Sequence, residues 1–141
     1  MDGLNINDPQ QMLEAAFRAL YEMEATAALN AVALRNDKQA FQKKWCEAFV
    51  KTFSFVSEYG ATVKMHETDD FHVKHLHSDK YFVTVQNKGF SMEIHAPEVP
   101  DTKSRCLELY IFDMGGTKTM YLTLPEITQH ISKGCARANT E

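Results

Sequence analysis

The chain has little of what most familiar chemistries require. Its 141 residues hold three cysteines, four prolines and six glycines. Cys46, Cys106 and Cys135 are odd in number, far apart and never in a Cys-x-x-Cys pair. That excludes a zinc ribbon readable from spacing and fits a reducing compartment. No apolar run approaches the ~18–20 residues of a membrane span. The first residues, Met-Asp-Gly-Leu-Asn-Ile-Asn-Asp, lack the basic segment and long apolar core of a signal peptide. The expected location is cytoplasmic, with no membrane partner. Positive charge is scarce too: fifteen Lys and Arg stand against nineteen Asp and Glu, for a net charge of −4. The deficit is spread along the chain, so there is no basic stripe to follow a phosphate backbone. Nucleic acid is therefore not an expected partner. No Gly-x-Ser-x-Gly elbow, Walker loop or Rossmann fingerprint occurs.

What is present is an ordinary globular composition, 44% hydrophobic and 24% charged. A single domain of this length buries a core without disulfides or metals. The pattern changes near Gly60. Before it, apolar residues recur at helical spacing. Asp8-Pro9 reads as a helix start, and Leu13, Ala16, Phe17, Leu20, Ala27 and Ala31 form the expected inner stripe. Asn36-Asp37 reads as a stop and a new N-cap. A second helix carries Phe41, Trp45, Ala48, Phe49, Thr52 and Val56 to a left-handed cap at Gly60.

After Gly60 the alternation is that of strands. The strand signals are Ala61 to Met65, Phe71 to His77, Tyr81 to Val85, Phe90 to Ile94, Leu107 to Ile111 and Met120 to Leu124. A four-residue loop at 86–89 pairs Val85 with Phe90 and Val83 with Met92. A Gly115-Gly116 turn pairs Ile111 with Met120 and Tyr110 with Tyr121. The expected fold is α+β. A helical hairpin (9–59) packs on a mostly antiparallel sheet of five to six strands (61–124), followed by a short helix (125–133) and a loose tail (135–141). Residues 1–141 form one domain.

Four of the six histidines, His66, His72, His75 and His77, lie within twelve residues. Imidazole is the commonest metal ligand, but ligands must converge on one point. Alternation puts His75 and His77 on the core-facing side and His66 and His72 on the other, so the cluster divides into two pairs. His75-Leu-His77-Ser-Asp79 resembles the His-x-His-x-Asp opening of the metallo-β-lactamase-type hydrolases. That resemblance implies a divalent transition metal on His75, His77 and Asp79. The family continues with a further histidine, where this chain has Lys80, and needs a longer sandwich. Asp113-Met-Gly-Gly-Thr-Lys resembles the phosphate loop of bacterial sugar kinases with an actin-like fold. That family is about twice this length and carries the loop at its N-terminus, so the glycines read here as a hairpin turn. Glu93 and His95 share the outer face of one strand and are expected as polar residues on a wet surface.

The outer face also collects Tyr110, Phe112, Tyr121 and Phe82. Exposed aromatic clusters mark interaction surfaces. The leading expectation is a non-enzymatic protein-binding module, an inhibitor, adaptor or small chaperone-like regulator, acting through these four residues without a cofactor. Its expected partner is another protein or a second copy of itself in a homodimer. Small acidic secretion chaperones are similar in size and mixed class, but carry a helix where this chain has the loop 97–104. The alternatives are a metal-binding or metal-dependent hydrolytic protein using His75 and His77, and a binder of a small ligand or nucleotide.

Overall fold

The helical pattern before Gly60 resolves into two α-helices and a tighter third segment. The computed structural model describes residues 9–34, 36–67, 81–88, 90–97, 106–113 and 116–140. Helix α1 runs Pro9–Ala33 and α2 runs Lys38–Thr52. Asp37 caps α2: its carboxylate accepts from Ala40 N at 3.1 Å, as the sequence predicts. The long second helix expected from the pattern ends early, at Thr52. Thr52 Oγ1 donates to Ala48 O and Ser54 Oγ donates to Lys51 O, each at 2.9 Å. These hydroxyls take carbonyls at the helix end. The chain then tightens into a 3-10 helix, Ser54–Tyr59, closed by Gly60 at φ +82°. The tightening has a packing reason. Phe53, Val56 and Tyr59 are three residues apart, and three residues per turn keep all of them on one side. All three are fully buried.

Among the described residues, five strands follow in sequence order as an antiparallel meander: β1 Thr62–Glu67, β2 Tyr81–Gln86, β3 Ser91–His95, β4 Leu107–Asp113 and β5 Gly116–Leu122. The strand expected at Phe71 to His77 lies outside the described residues. Both predicted hairpins form, each shifted by two residues. Val85 pairs with Met92 and Val83 with Ile94. The β2–β3 turn closes on Asn87, whose N–H donates to Phe90 O at 3.0 Å and whose Oδ1 accepts from Phe90 N at 3.1 Å. Phe90 therefore leaves the strand. In the second hairpin Asp113 pairs with Gly116, Leu109 with Met120 and Leu107 with Leu122. Leu124 is released to begin the last helix. A shift of two leaves every side chain on its predicted face, so the core set is unchanged.

The expected C-terminal helix forms as α3, Leu124–Thr140, and runs seven residues past its predicted end at 133, into the stretch expected as a loose tail. Thr123 and Glu126 form a capping box: Thr123 N donates to Glu126 Oε1 at 2.8 Å and Glu126 N donates to Thr123 Oγ1 at 3.4 Å. The helix passes through Gly134, and Cys135 is buried. Gly134 serves space rather than termination, because the Phe90 ring lies against it.

Helix α2 packs on β1 and β2, and α3 packs on β5 and the 3-10 helix. Helix α1 packs on α2 and α3. The core-facing side of the sheet (Val83, Val85, Met92, Ile94, Leu107, Leu109) meets Phe41, Trp45, Phe49, Ile127 and Ile131 in one cluster. The inner stripe of α1 is Met12, Ala16, Ala19, Met23 and Ala27. Leu13 and Phe17, expected inside, are 45% and 63% exposed. Alanines at the contact admit close approach of the neighbouring helices, and the larger side chains turn outward.

Candidate functional site

Alternation along β1 to β5 defines a second face, away from the helices. Its register brings residues from distant parts of the chain into rows. His66 pairs with Phe82 and Phe82 with His95. Thr84 pairs with Glu93, Glu93 with Tyr110 and Tyr110 with Thr119. Ser91 pairs with Phe112 and Phe112 with Thr117. The expected Tyr110–Tyr121 pairing does not occur. The two-residue shift places Tyr121 opposite Glu108, where its hydroxyl donates to Glu108 Oε2 at 3.3 Å.

The rings form a continuous ladder across β1 to β4. His66 stacks on Phe82 with centroids 5.0 Å apart, and Phe82 stacks on His95 at 5.5 Å. His95 meets Tyr110 edge-to-face at 5.2 Å. Offset and edge-to-face contacts of this kind are the favoured aromatic geometries. His66 Nε2 lies 2.9 Å from Thr84 Oγ1. His95 Nε2 donates to Glu93 Oε2 at 2.7 Å, a short charge-assisted bond.

Burial divides this face into two zones. Phe82, Glu93 and His95 are buried, with Glu93 at 7% and His95 at 3% exposure. This corrects two expectations. Phe82 is not part of an open aromatic surface, and Glu93 and His95 are not on a wet face. Tyr110 is half-buried, while Phe112 and Tyr121 are open, Tyr121 at 63%. Of the four predicted contact residues, the structure brings Tyr110, Phe112 and Tyr121 to an exposed zone on β4 and β5 and sets Phe82 within the ring ladder.

Chemically, the Glu93–His95 pair can hold and share a proton within a desolvated setting. His66 and Thr84 make an imidazole–hydroxyl contact. Nucleophile activation also needs a third group orienting the imidazole, and none reaches His66 among the described residues. His75, His77 and Asp79, the metal ligands expected from spacing, lie outside the described residues. Among the described residues no three His, Cys, Asp or Glu side chains are grouped to hold a metal ion. Cys46 and Cys135 are buried and Cys106 is exposed. Burial raises the Cys135 thiol from 9.0 to about 11, the opposite of nucleophile activation.

The pattern reading missed one surface entirely. The outer side of α1 carries Leu13, Phe17, Tyr21, Leu29 and Val32, all exposed. Its signal was present: α1 is apolar on nearly every side, with four charged residues in its twenty-five.

No protein-family model, curated protein or solved structure matches the chain. No helix among the described residues is long and apolar enough to cross a membrane.

Proposed function

We propose that this chain is a non-enzymatic protein-binding module, an inhibitor, adaptor or small chaperone-like regulator, whose contact surface is the outer sheet face at β4 and β5. The observation that supports it is the exposed aromatic zone of Phe112 and Tyr121 beside half-buried Tyr110. Tyrosine is enriched among the residues that dominate binding energy, because it offers a large apolar body with a polar end. The Glu108 carboxylate holds the Tyr121 ring in place, which lowers the ordering cost of binding. Strand β5 is the edge of the described sheet and is exposed along most of its length. An extended partner segment adding to that edge would gain backbone hydrogen bonds and side-chain contact with Tyr121 together. The three cysteines form no disulfide, in keeping with a reducing, cytoplasmic site of action.

The test is site-specific photocrosslinking in the source cell. A photoreactive residue at position 121 should capture one discrete protein, and the same residue at exposed Lys88 should not. Phe112→Glu should reduce that product at least tenfold. No product at 121, or equal products at 121 and 88, would sink the reading. The competing metal reading on His75, His77 and Asp79 rests on spacing alone. Stoichiometric zinc, nickel or manganese that is lost in a His75→Ala/His77→Ala variant would replace the binding reading with it.

A further inference from the structure

Helix α1 has two apolar sides, and the fold uses one. Met12, Ala16, Ala19, Met23 and Ala27 face α2 and α3. On the other side Leu13, Phe17, Tyr21, Ala25 and Leu29 follow one another at four-residue spacing and are all exposed, with Val32 beside them. Residues four apart form one ridge on a helix surface, and ridges of this kind interdigitate in the commonest class of helix packing. Thirteen to twenty-nine spans about 24 Å of helix at 1.5 Å per residue. Phe17, Tyr21, Leu29 and Val32 are each 63–75% exposed.

We propose that α1 is a homodimerisation helix, with α1 of one copy packed antiparallel on α1 of a second copy across a two-fold axis near Tyr21. Three features of the ridge select a second copy as the occupant. The first is size. A two-fold interface uses the same patch twice, and a standard interface buries about 800 Å² per partner. Five large side chains along about five turns supply an area of that order, which exceeds the scattered apolar exposure of a monomer surface. The second is shape. With Tyr21 on the axis, Phe17 of one copy meets Ala25 of the other, bulky against small, and Leu13 meets Leu29. The third is charge. Glu14, Arg18 and Glu22 are exposed and lie along one flank of the ridge at four-residue spacing. A parallel pair would put this flank on opposite sides of the seam in the two copies, so Arg18 of one would not reach Glu22 of the other. The antiparallel pair brings the two flanks together: the Glu22 carboxylates of both copies meet beside the axis, and Arg18 of each copy lies two residues, about 3 Å along the axis, from Glu22 of the other, so that an arginine closes the acidic pair on either side. Arg18 is the only basic residue of α1, beside three acidic ones. That balance disfavours a lipid surface, which amphipathic helices approach with Lys and Arg. The dimer leaves the β4–β5 face free, because α1 and that face lie on opposite sides of the molecule.

The test is sedimentation equilibrium on the full chain. The expected result is twice the chain mass at micromolar concentration. Phe17→Glu and Tyr21→Glu should each weaken the dimer at least tenfold with unchanged circular dichroism. Arg18→Glu and Glu22→Arg should each weaken it, and the double swap Arg18→Glu/Glu22→Arg should restore it. Tyr21→Cys in a Cys106→Ser background should form a disulfide-linked dimer under mild oxidation, a readout independent of the charge variants. A monomer at 100 μM, a dimer indifferent to Phe17→Glu, or failure of the double swap to restore pairing would each overturn the proposal. Flotation of a monomeric chain with phosphatidylcholine–phosphatidylserine vesicles, abolished by Phe17→Glu, would overturn it in favour of a membrane surface.

Discussion

The Phe90 ring fills the space that a side chain at position 134 would need: a Cβ on Gly134 would lie 2.2 Å from Phe90 Cε1. The same loop ties itself to α3 through Asn87 Nδ2, which donates to Gly134 O at 3.2 Å. The β2–β3 turn and the last helix are therefore one packing unit. Gly134→Ala gains about 1 kcal/mol of helix propensity. Displacing the ring costs about 1–3 kcal/mol, as overpacking does. The expected net effect is a destabilisation of about 1 kcal/mol in urea unfolding. In a Phe90→Ala background the ring is gone, and Gly134→Ala should stabilise. The reversal of sign is the check, and equal effects in both backgrounds would show that the ring does not set the glycine.

The two hairpins show what alternation can and cannot read. A shift of two residues returns each side chain to the same face, so the pattern identified Val83, Val85, Met92, Ile94, Leu107 and Leu109 as core while pairing both hairpins two residues out of register. Turn position was decided by side chains off the strands: Asn87 bonding to Phe90, and the Thr123–Glu126 box that ends β5 before Leu124. The second was legible as Thr-x-x-Glu before an apolar run. The helix runs through Gly134, past its predicted end at 133, and the role of this glycine is steric, set by a residue forty-four positions away. Alternation also names a face without saying what is buried on it. Tyr121 and Phe112 were legible as outward, whereas the burial of Phe82, Glu93 and His95 was not. On α1, two apolar stripes compete, and only packing against α2 and α3 shows which one is inside.

The Glu93–His95 hydrogen bond lies in a desolvated setting, so its loss is costly. Glu93→Ala removes the acceptor at 2.7 Å from Nε2 of a ring that is 3% exposed. The expected destabilisation is about 3 kcal/mol, the range for breaking a buried pair. Glu93→Gln keeps a carbonyl acceptor at the same reach and should cost less than half as much. Thermal unfolding of the two variants at one pH decides the matter, and equal losses would mean that the bond contributes little.

Asp37 makes a local and exposed contribution. Its carboxylate satisfies Ala40 N at the start of α2. Asp37→Ala should cost about 1 kcal/mol, while Asp37→Asn and Asp37→Ser should stay within about 0.5 kcal/mol of the parent, since both retain a capping oxygen. Urea midpoints at constant slope provide the measurement.

Cys135 gives the fold a signed response to alkali. Burial raises its thiol from 9.0 to about 11. Between these values the unfolded chain has lost the proton and the folded chain keeps it. Folded protein then binds more protons than unfolded, so stability falls as pH rises. The contribution is intact below pH 9 and is lost on passing to about pH 11. A shift of this size corresponds to a loss on the order of 2 kcal/mol. The comparison that isolates this thiol is with Cys135→Ala. The difference in unfolding free energy between parent and variant should shrink steadily from pH 8.5 to 11, and a constant difference would sink the assignment. The same burial predicts that a thiol reagent at pH 8 labels only exposed Cys106 in the folded chain and all three cysteines in denaturant.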